Sequence, residues 1–132
     1  FNELFEHMRR NLLFTLREAR RILAEDGFLF LSTPNLRSLK GIFNFLFRGK
    51  AYSCAGDLHW EWEKIEEFGH MGHVREYNQQ EVVNFLEEIG FKFEEVIYRG
   101  KFEPLSWKRK LANIVLRINP SLRPNMRLIF RS

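Results

Sequence analysis

At 132 residues, 45% of them hydrophobic and 14 of them Phe, the chain is long enough to bury the core of one modest domain and has a globular composition. Its single cysteine, Cys54, excludes an internal disulfide and a cysteine-paired zinc site, and no apolar run approaches the roughly 20 residues of a spanning helix. The net charge of +4 is uneven: residues 101–132 hold eight Lys or Arg against the one acid Glu103, so the basic character belongs to the tail.

With no signal-peptide pattern at the N-terminus, a soluble protein of a reducing, cytoplasmic compartment is expected. Phe1 is not an initiator methionine, which suggests a processed start or a piece of a longer chain.

The first residues, FNELFEHM, place Glu3, Glu6 and His7 at i, i+3 and i+4. On a helix these share one face, and their tips can converge on a divalent cation. The alternative is a solvated first turn, where carboxylates favour the positive end of the helix dipole. Leu12, Leu16, Ala19 and Leu23 then fall at helical spacing with Arg17, Glu18, Arg20 and Arg21 between them, which predicts an amphipathic helix over 11–23.

Asp26-Gly27 stops that helix, and Phe28-Leu29-Phe30-Leu31 reads as a strand covered on both faces, the mark of a parallel α/β sheet. Pro34, in Ser32-Thr33-Pro34-Asn35, turns the chain out of the sheet. A short helix is expected over 39–47, inside a long loop or lid over 36–77 that holds Tyr52, His59, Trp60, Trp62, His70 and His73. Its aromatic rings either stack on a planar or sugar acceptor or pack the loop's own small core, and the second reading is favoured.

Asn78, with Glu81 three residues on, has capping-box spacing before a stripe of Val82, Phe85, Leu86 and Ile89, which Gly90 ends. Phe91 to Tyr98 reads as a second strand and Trp107 to Ile118 as a helix with Trp107, Leu111, Ile114, Val115 and Ile118 on a side expected to pack on the sheet. Met126 to Arg131 reads as a third strand. Residues 1–132 form one domain, closed by a basic helix and strand over 101–132.

These pieces resemble, in order over residues 1–98, the C-terminal half of class I S-adenosylmethionine-dependent methyltransferases. The likeness is carried by Leu16-Arg17-Glu18-Ala19-Arg20-Arg21-Ile22-Leu23, by Asp26-Gly27 with the strand ending Ser32-Thr33-Pro34-Asn35, and by Gly72-His73-Val74-Arg75-Glu76-Tyr77 before a helix ending Glu88-Ile89-Gly90-Phe91. The resemblance implies a Rossmann-like α/β sheet of three main strands, Phe28 to Ser32, Phe91 to Tyr98 and Met126 to Arg131, flanked by helices, with the last strand antiparallel in the middle. It implies S-adenosylmethionine as cofactor, held mainly by a Gly-rich turn and a ribose-gripping acid in an N-terminal half absent from these 132 residues. Such turns let backbone N–H groups approach the ligand closely. The inner sheet edge would then be uncovered, and the piece alone would be inactive.

Glu3-x-x-Glu6-His7 resembles the motif by which ubiquinone-pathway O-methyltransferases and small-RNA 3′-terminal 2′-O-methyltransferases hold a divalent metal, with His73 in the place of the further histidine. The resemblance implies Mg²⁺, Mn²⁺ or Zn²⁺ on Glu3, Glu6, His7 and His73, with His73 and His7 catalytic and Asn2 and Glu3 facing the cofactor's methionine portion. His73 has two other readings: a general base, or a residue that pins the loop through Glu76 or Tyr77, with His70 a competitor for either.

The implied function is O-methylation of a small-molecule, lipid-linked or glycan acceptor. The alternatives are an RNA methyltransferase fragment and a non-catalytic, degenerate domain acting as an interaction module. Lys108-Arg109-Lys110 beside an apolar stripe adds an expected membrane-surface or nucleic-acid contact.

Overall fold

The computed structural model describes residues 1–8, 11–50, 58–69, 73 and 75–132, with the backbone alone at 58, 60 and 61. Tyr52, His70, Gly72 and Val74 lie outside the described residues, as does the side chain of Trp60. The elements in chain order are a 3-10 turn at Phe5–His7, α1 (Leu12–Ile22), β1 (Phe28–Pro34), α2 (Leu39–Arg48), α3 (Leu58–Phe68), α4 (Gln79–Ile89), β2 (Lys92–Arg99), α5 (Trp107–Ile118) and β3 (Asn125–Arg131).

Local chemistry sets most of these boundaries. The Asn11 side chain accepts from the Phe14 N–H at the start of α1, and the Ser38 hydroxyl accepts from the Gly41 N–H at the start of α2. Asn78 and Glu81 form the full reciprocal capping box of α4, and Gly90 closes that helix at φ 99°, a left-handed conformation that costs glycine little. The helix α3 inside the long connection is not foreseen by the sequence reading. Its 11 residues have weak amphipathic patterning, which hides a helical period among aromatic and acidic residues.

The sheet has the order β1-β3-β2 with β3 antiparallel to both neighbours, as expected. Leu128 stands opposite Leu31 on one side and Val96 on the other, and a register shift between Phe93 and Glu95 marks a bulge in β2. Leu29, Leu31, Met126, Leu128 and Phe130 point to one face and meet Leu16 of α1 with Val82, Val83 and Leu86 of α4.

The other face is different: Phe28 and Phe30 are 50% and 54% exposed. The expectation of a strand buried on both faces is therefore corrected. Within these residues the apolar run of β1 is covered by α1 and α4 on one side only, because both helices return to the same face.

The edge of β1 is partly occupied. Phe1 to Glu3 run parallel to it, with the Ser32 N–H donating to the Phe1 carbonyl at 2.9 Å and the Glu3 N–H donating to the Ser32 carbonyl at 3.0 Å. The first residues, α1 and β1 thus make a strand-helix-strand unit, the connection a parallel pair requires.

Candidate active site

The candidate site is built at the C-terminal end of β1, where open α/β sheets place their ligands. Phe5 is buried and meets the ring of Tyr77 edge-on at 4.7 Å, which anchors the 3-10 turn against the segment before α4. That segment is tied on both sides, by the Arg75 N–H donating to the Glu6 carbonyl at 3.4 Å and the Leu36 N–H donating to the Tyr77 carbonyl at 3.0 Å. Arg75 also pairs with Glu81, so the capping box of α4 helps to hold it.

These contacts bring Glu6, His7 and His73 together, with one possible ligand atom from each lying within 4.8 Å of the others. The imidazole rings of His7 and His73 meet edge-on with centroids 4.7 Å apart. Glu6 is 1% exposed; its Oε2 accepts from the Thr33 hydroxyl at 3.0 Å, and its Oε1 has no hydrogen-bond partner among the described residues. His7 Nε2 lies 3.9 Å from Oε1, beyond hydrogen-bonding range. On its far side His73 presents Nδ1 to Glu76 Oε1 at 3.6 Å, and Glu76 is fully buried.

Burial pushes the Glu6 carboxyl above its ordinary value, and the neighbouring Glu3 adds to this. Hydrogen bonds from its own backbone and from Thr33, and the proximity of His7, act in the opposite direction. A buried carboxylate oxygen with no donor among the described residues, beside two imidazoles, is a place where a cation would be stabilised.

Glu3 does not join this set, and the premise that put it there is corrected. The chain is helical only over Phe5–His7, and Glu3 has φ 50°, a left-handed conformation outside the helix. Its carboxylate accepts from the Ser32 hydroxyl at 2.9 Å, and the same hydroxyl approaches the Asn2 side-chain oxygen. The reason is the strand pairing: once Phe1 to Glu3 follow the edge of β1, the residue that turns the chain into the 3-10 turn cannot share its face.

Asn2 and Glu3 instead line a separate cleft of about 240 Å³ with Ser32, Asn125 and Arg127. Trp62, expected to pack a loop core, is 59% exposed. A second cleft, of about 480 Å³, lies beside the cluster between Leu36, Ile42, Phe45 and Leu46 on one wall and Arg75 and Glu76 on the other. Sequence reasoning gave no role to Ser32 or Thr33. The usable signal was two hydroxyls at the C-terminal end of an otherwise apolar strand.

One carboxylate and two imidazoles form a donor set suited to Zn²⁺ or Mn²⁺ more than to Mg²⁺, which favours all-oxygen shells. Donor atoms around a tetrahedral zinc stand about 3.4 Å apart, so the cluster would contract by roughly 1 Å on binding.

The sequence profile of the family described as "Methyltransferase domain" matches residues 1–96, most of the chain and all of the residues that build this site. The chain belongs to that family, the class I S-adenosylmethionine-dependent methyltransferases. No curated protein matches it in sequence.

Two solved structures have the same fold. An S-adenosylmethionine-dependent methyltransferase from Mesorhizobium loti is similar at TM-score 0.53 and 17% identity, over 99% of this chain and 59% of that one. A SAM-dependent methyltransferase from Archaeoglobus fulgidus is similar at TM-score 0.52 and 15% identity, over 100% of this chain and 57% of that one. The chain therefore spans somewhat more than half the length of these two methyltransferases.

Proposed function

We propose that this chain supplies the acceptor side of an S-adenosylmethionine-dependent O-methyltransferase and that Glu6, His7 and His73 hold a divalent cation there, of the kind the ubiquinone-pathway resemblance suggests. The observation that carries the metal is the buried Glu6 Oε1, which has no hydrogen-bond donor among the described residues and shares a 4.8 Å cluster with two imidazoles. Such an ion would orient an acceptor hydroxyl and lower its pKa.

The cofactor supplies a methyl group on a sulfonium, so the protein's work is positioning and proton removal. The acceptor oxygen would form the new C–O bond as the S–CH₃ bond breaks and S-adenosylhomocysteine leaves, with the acceptor proton passing to solvent. His73, whose Nδ1 faces the buried Glu76, would hold the ion through its other ring nitrogen, with the His7 ring edge-on to it.

The residues fit one end of the cofactor. Asn2 and Glu3, anchored by Ser32, would face its methionine portion, whereas the chain's eight glycines include no GxGxG turn to meet the rest. The cleft between α2 and the segment at Arg75 and Glu76 suits a small-molecule, lipid-linked or glycan acceptor, with apolar groups on one wall and charge on the other. A second reading, RNA as acceptor, is favoured by the exposed cations Lys108, Arg109, Lys110 and Arg117 of α5.

Titration of Zn²⁺ and of Mn²⁺ followed by calorimetry and thermal melting tests the site. Binding is expected to weaken at least about tenfold in Glu6→Gln, His7→Ala and His73→Ala and to persist in Glu3→Gln. Unchanged affinity across the first three variants rules out the metal. Labelled methyl transfer from S-adenosylmethionine to phenolic, glycan and RNA acceptors, with the longest natural polypeptide, then separates the two acceptor readings.

A further inference from the structure

Helix α2 is folded inside out. On a helical projection Leu39, Ile42, Phe43, Phe45, Leu46 and Phe47 occupy one broad arc, opposite Gly41 and Asn44. A soluble domain normally turns such an arc inward, but here the buried residues are Gly41 and Asn44, and Phe45, Leu46 and Phe47 are 67%, 65% and 72% exposed. Gly41 permits this docking: a Cβ there would lie 2.4 Å from the Leu36 carbonyl oxygen, so the small side of the helix sits directly on the turn before it.

We propose that α2 is a membrane-docking helix whose outward apolar arc enters the surface of an anionic lipid bilayer. Charge supports that occupant. From Leu36 to Lys50 there is no acid, and the cations Arg37, Lys40, Arg48 and Lys50 are all exposed around the apolar arc. An interfacial helix has this layout, aromatic and aliphatic groups below the headgroups and cations at the phosphates, each basic residue adding about 1 kcal/mol near an anionic surface. The Arg48 guanidinium already lies 5.4 Å from the centroid of the Phe43 ring.

A bilayer accepts an exposed aliphatic and aromatic surface, here including the wall that Ile42, Phe45 and Leu46 give the neighbouring cleft, without shape complementarity. Ile42 and Leu46 offer nothing for nucleic-acid bases to stack on.

Helix α5 repeats the pattern. Its buried residue is Leu116, Asn113 is tied to the Phe102 backbone, and Trp107, Leu111, Ile114 and Ile118 are exposed along one stripe beside Lys108, Arg109 and Lys110. At about 15 Å, the length of α2 is that of an element lying in the interface and not of one crossing it.

The test is co-sedimentation with phosphatidylcholine vesicles, with and without phosphatidylglycerol, using the longest natural form of the polypeptide so that any intramolecular cover over α2 registers as absence of binding. The expected result is salt-sensitive binding to the anionic vesicles, weakened at least about tenfold in Phe45→Ser/Phe47→Ser and stripped of its lipid-charge preference in Lys40→Glu/Lys50→Glu. Both aromatic positions are exposed, so circular dichroism should find those variants folded. Glu6→Gln should bind vesicles as the parent does, which keeps this result separate from the fate of the metal site.

Absence of vesicle binding overturns the proposal, as does equal binding by the parent and the Phe45→Ser/Phe47→Ser variant. Self-association or RNA retention that depends on Phe45 and Phe47, in a protein that ignores vesicles, assigns the face to a second copy or to nucleic acid and overturns it as well.

Discussion

Glu6 sets the electrostatic state of the site, because it is the one buried carboxylate whose second oxygen lacks a donor among the described residues. Its carboxyl is raised above the ordinary 4.5 in the folded protein, so the fold favours the protonated form. The stability it contributes is full below pH 4.5 and is lost as pH rises through the folded value. Glu6→Gln, which mimics the neutral acid, is therefore expected to be more stable than the parent at pH 7 without metal, by about 1 kcal/mol, and to lose that advantage as pH falls to 4.5. Thermal melts across that range check the sign, and saturating Zn²⁺ should reverse it by stabilising only the parent. The residue types of the site were legible in the sequence, since Glu6 and His7 are adjacent and His73 lies in the segment before a well-capped helix. That Glu3 leaves the set was not legible: its left-handed backbone follows from pairing with a strand about 30 residues away.

Among the elements, the helices show what periodicity conveys and what it omits. The apolar run of α2 and the apolar spacing of α5 predicted both helices, and in the structure the side chains of Ser38 and Ser106 cap their starts. The side each helix turns inward was not in the pattern, and the expectation that α5 packs its apolar stripe on the sheet is corrected by the exposure of Trp107, Leu111, Ile114 and Ile118. Amphipathic spacing separates an apolar side of a helix from a polar one, but short connections and close backbone contacts decide which of the two meets the protein. For α2 that contact is at Gly41. Gly41→Ala would force its Cβ against the Leu36 carbonyl, and we expect it to destabilise the chain by about 1–3 kcal/mol in urea denaturation, despite the better helix propensity of alanine. A neutral or stabilising result would mean that α2 is not seated on that turn.

Over the whole molecule, one side chain reinforces the pairing of β1 with β3 that joins the tail to the site end of the sheet. Asn35, buried just past β1, donates through Nδ2 to the carbonyls of Ser121 and Arg123 at 2.8 Å each, spanning more than 80 residues of sequence. Asn35→Ala removes both bonds and leaves two carbonyls to find other donors. We expect a loss of about 2–3 kcal/mol by chemical denaturation and loosened hydrogen exchange in β3. The sequence by itself determined where most of the helices and strands begin and end, because alternation, caps and glycine stops are local properties that survive any tertiary arrangement; the fold class and the order of the three strands came from the resemblance of its ordered motifs to a known family. It also named Glu6, His7 and His73 as candidates, together with Asn2 and Glu3. Only the tertiary structure decided that Glu3 faces Ser32 and not the cluster of Glu6, His7 and His73, that β1 is covered on one side, and that α2 and α5 point their apolar faces outward. Each of these depends on contacts between residues far apart in the chain, whose geometry is set by backbone pairing and excluded volume. A one-dimensional pattern contains neither.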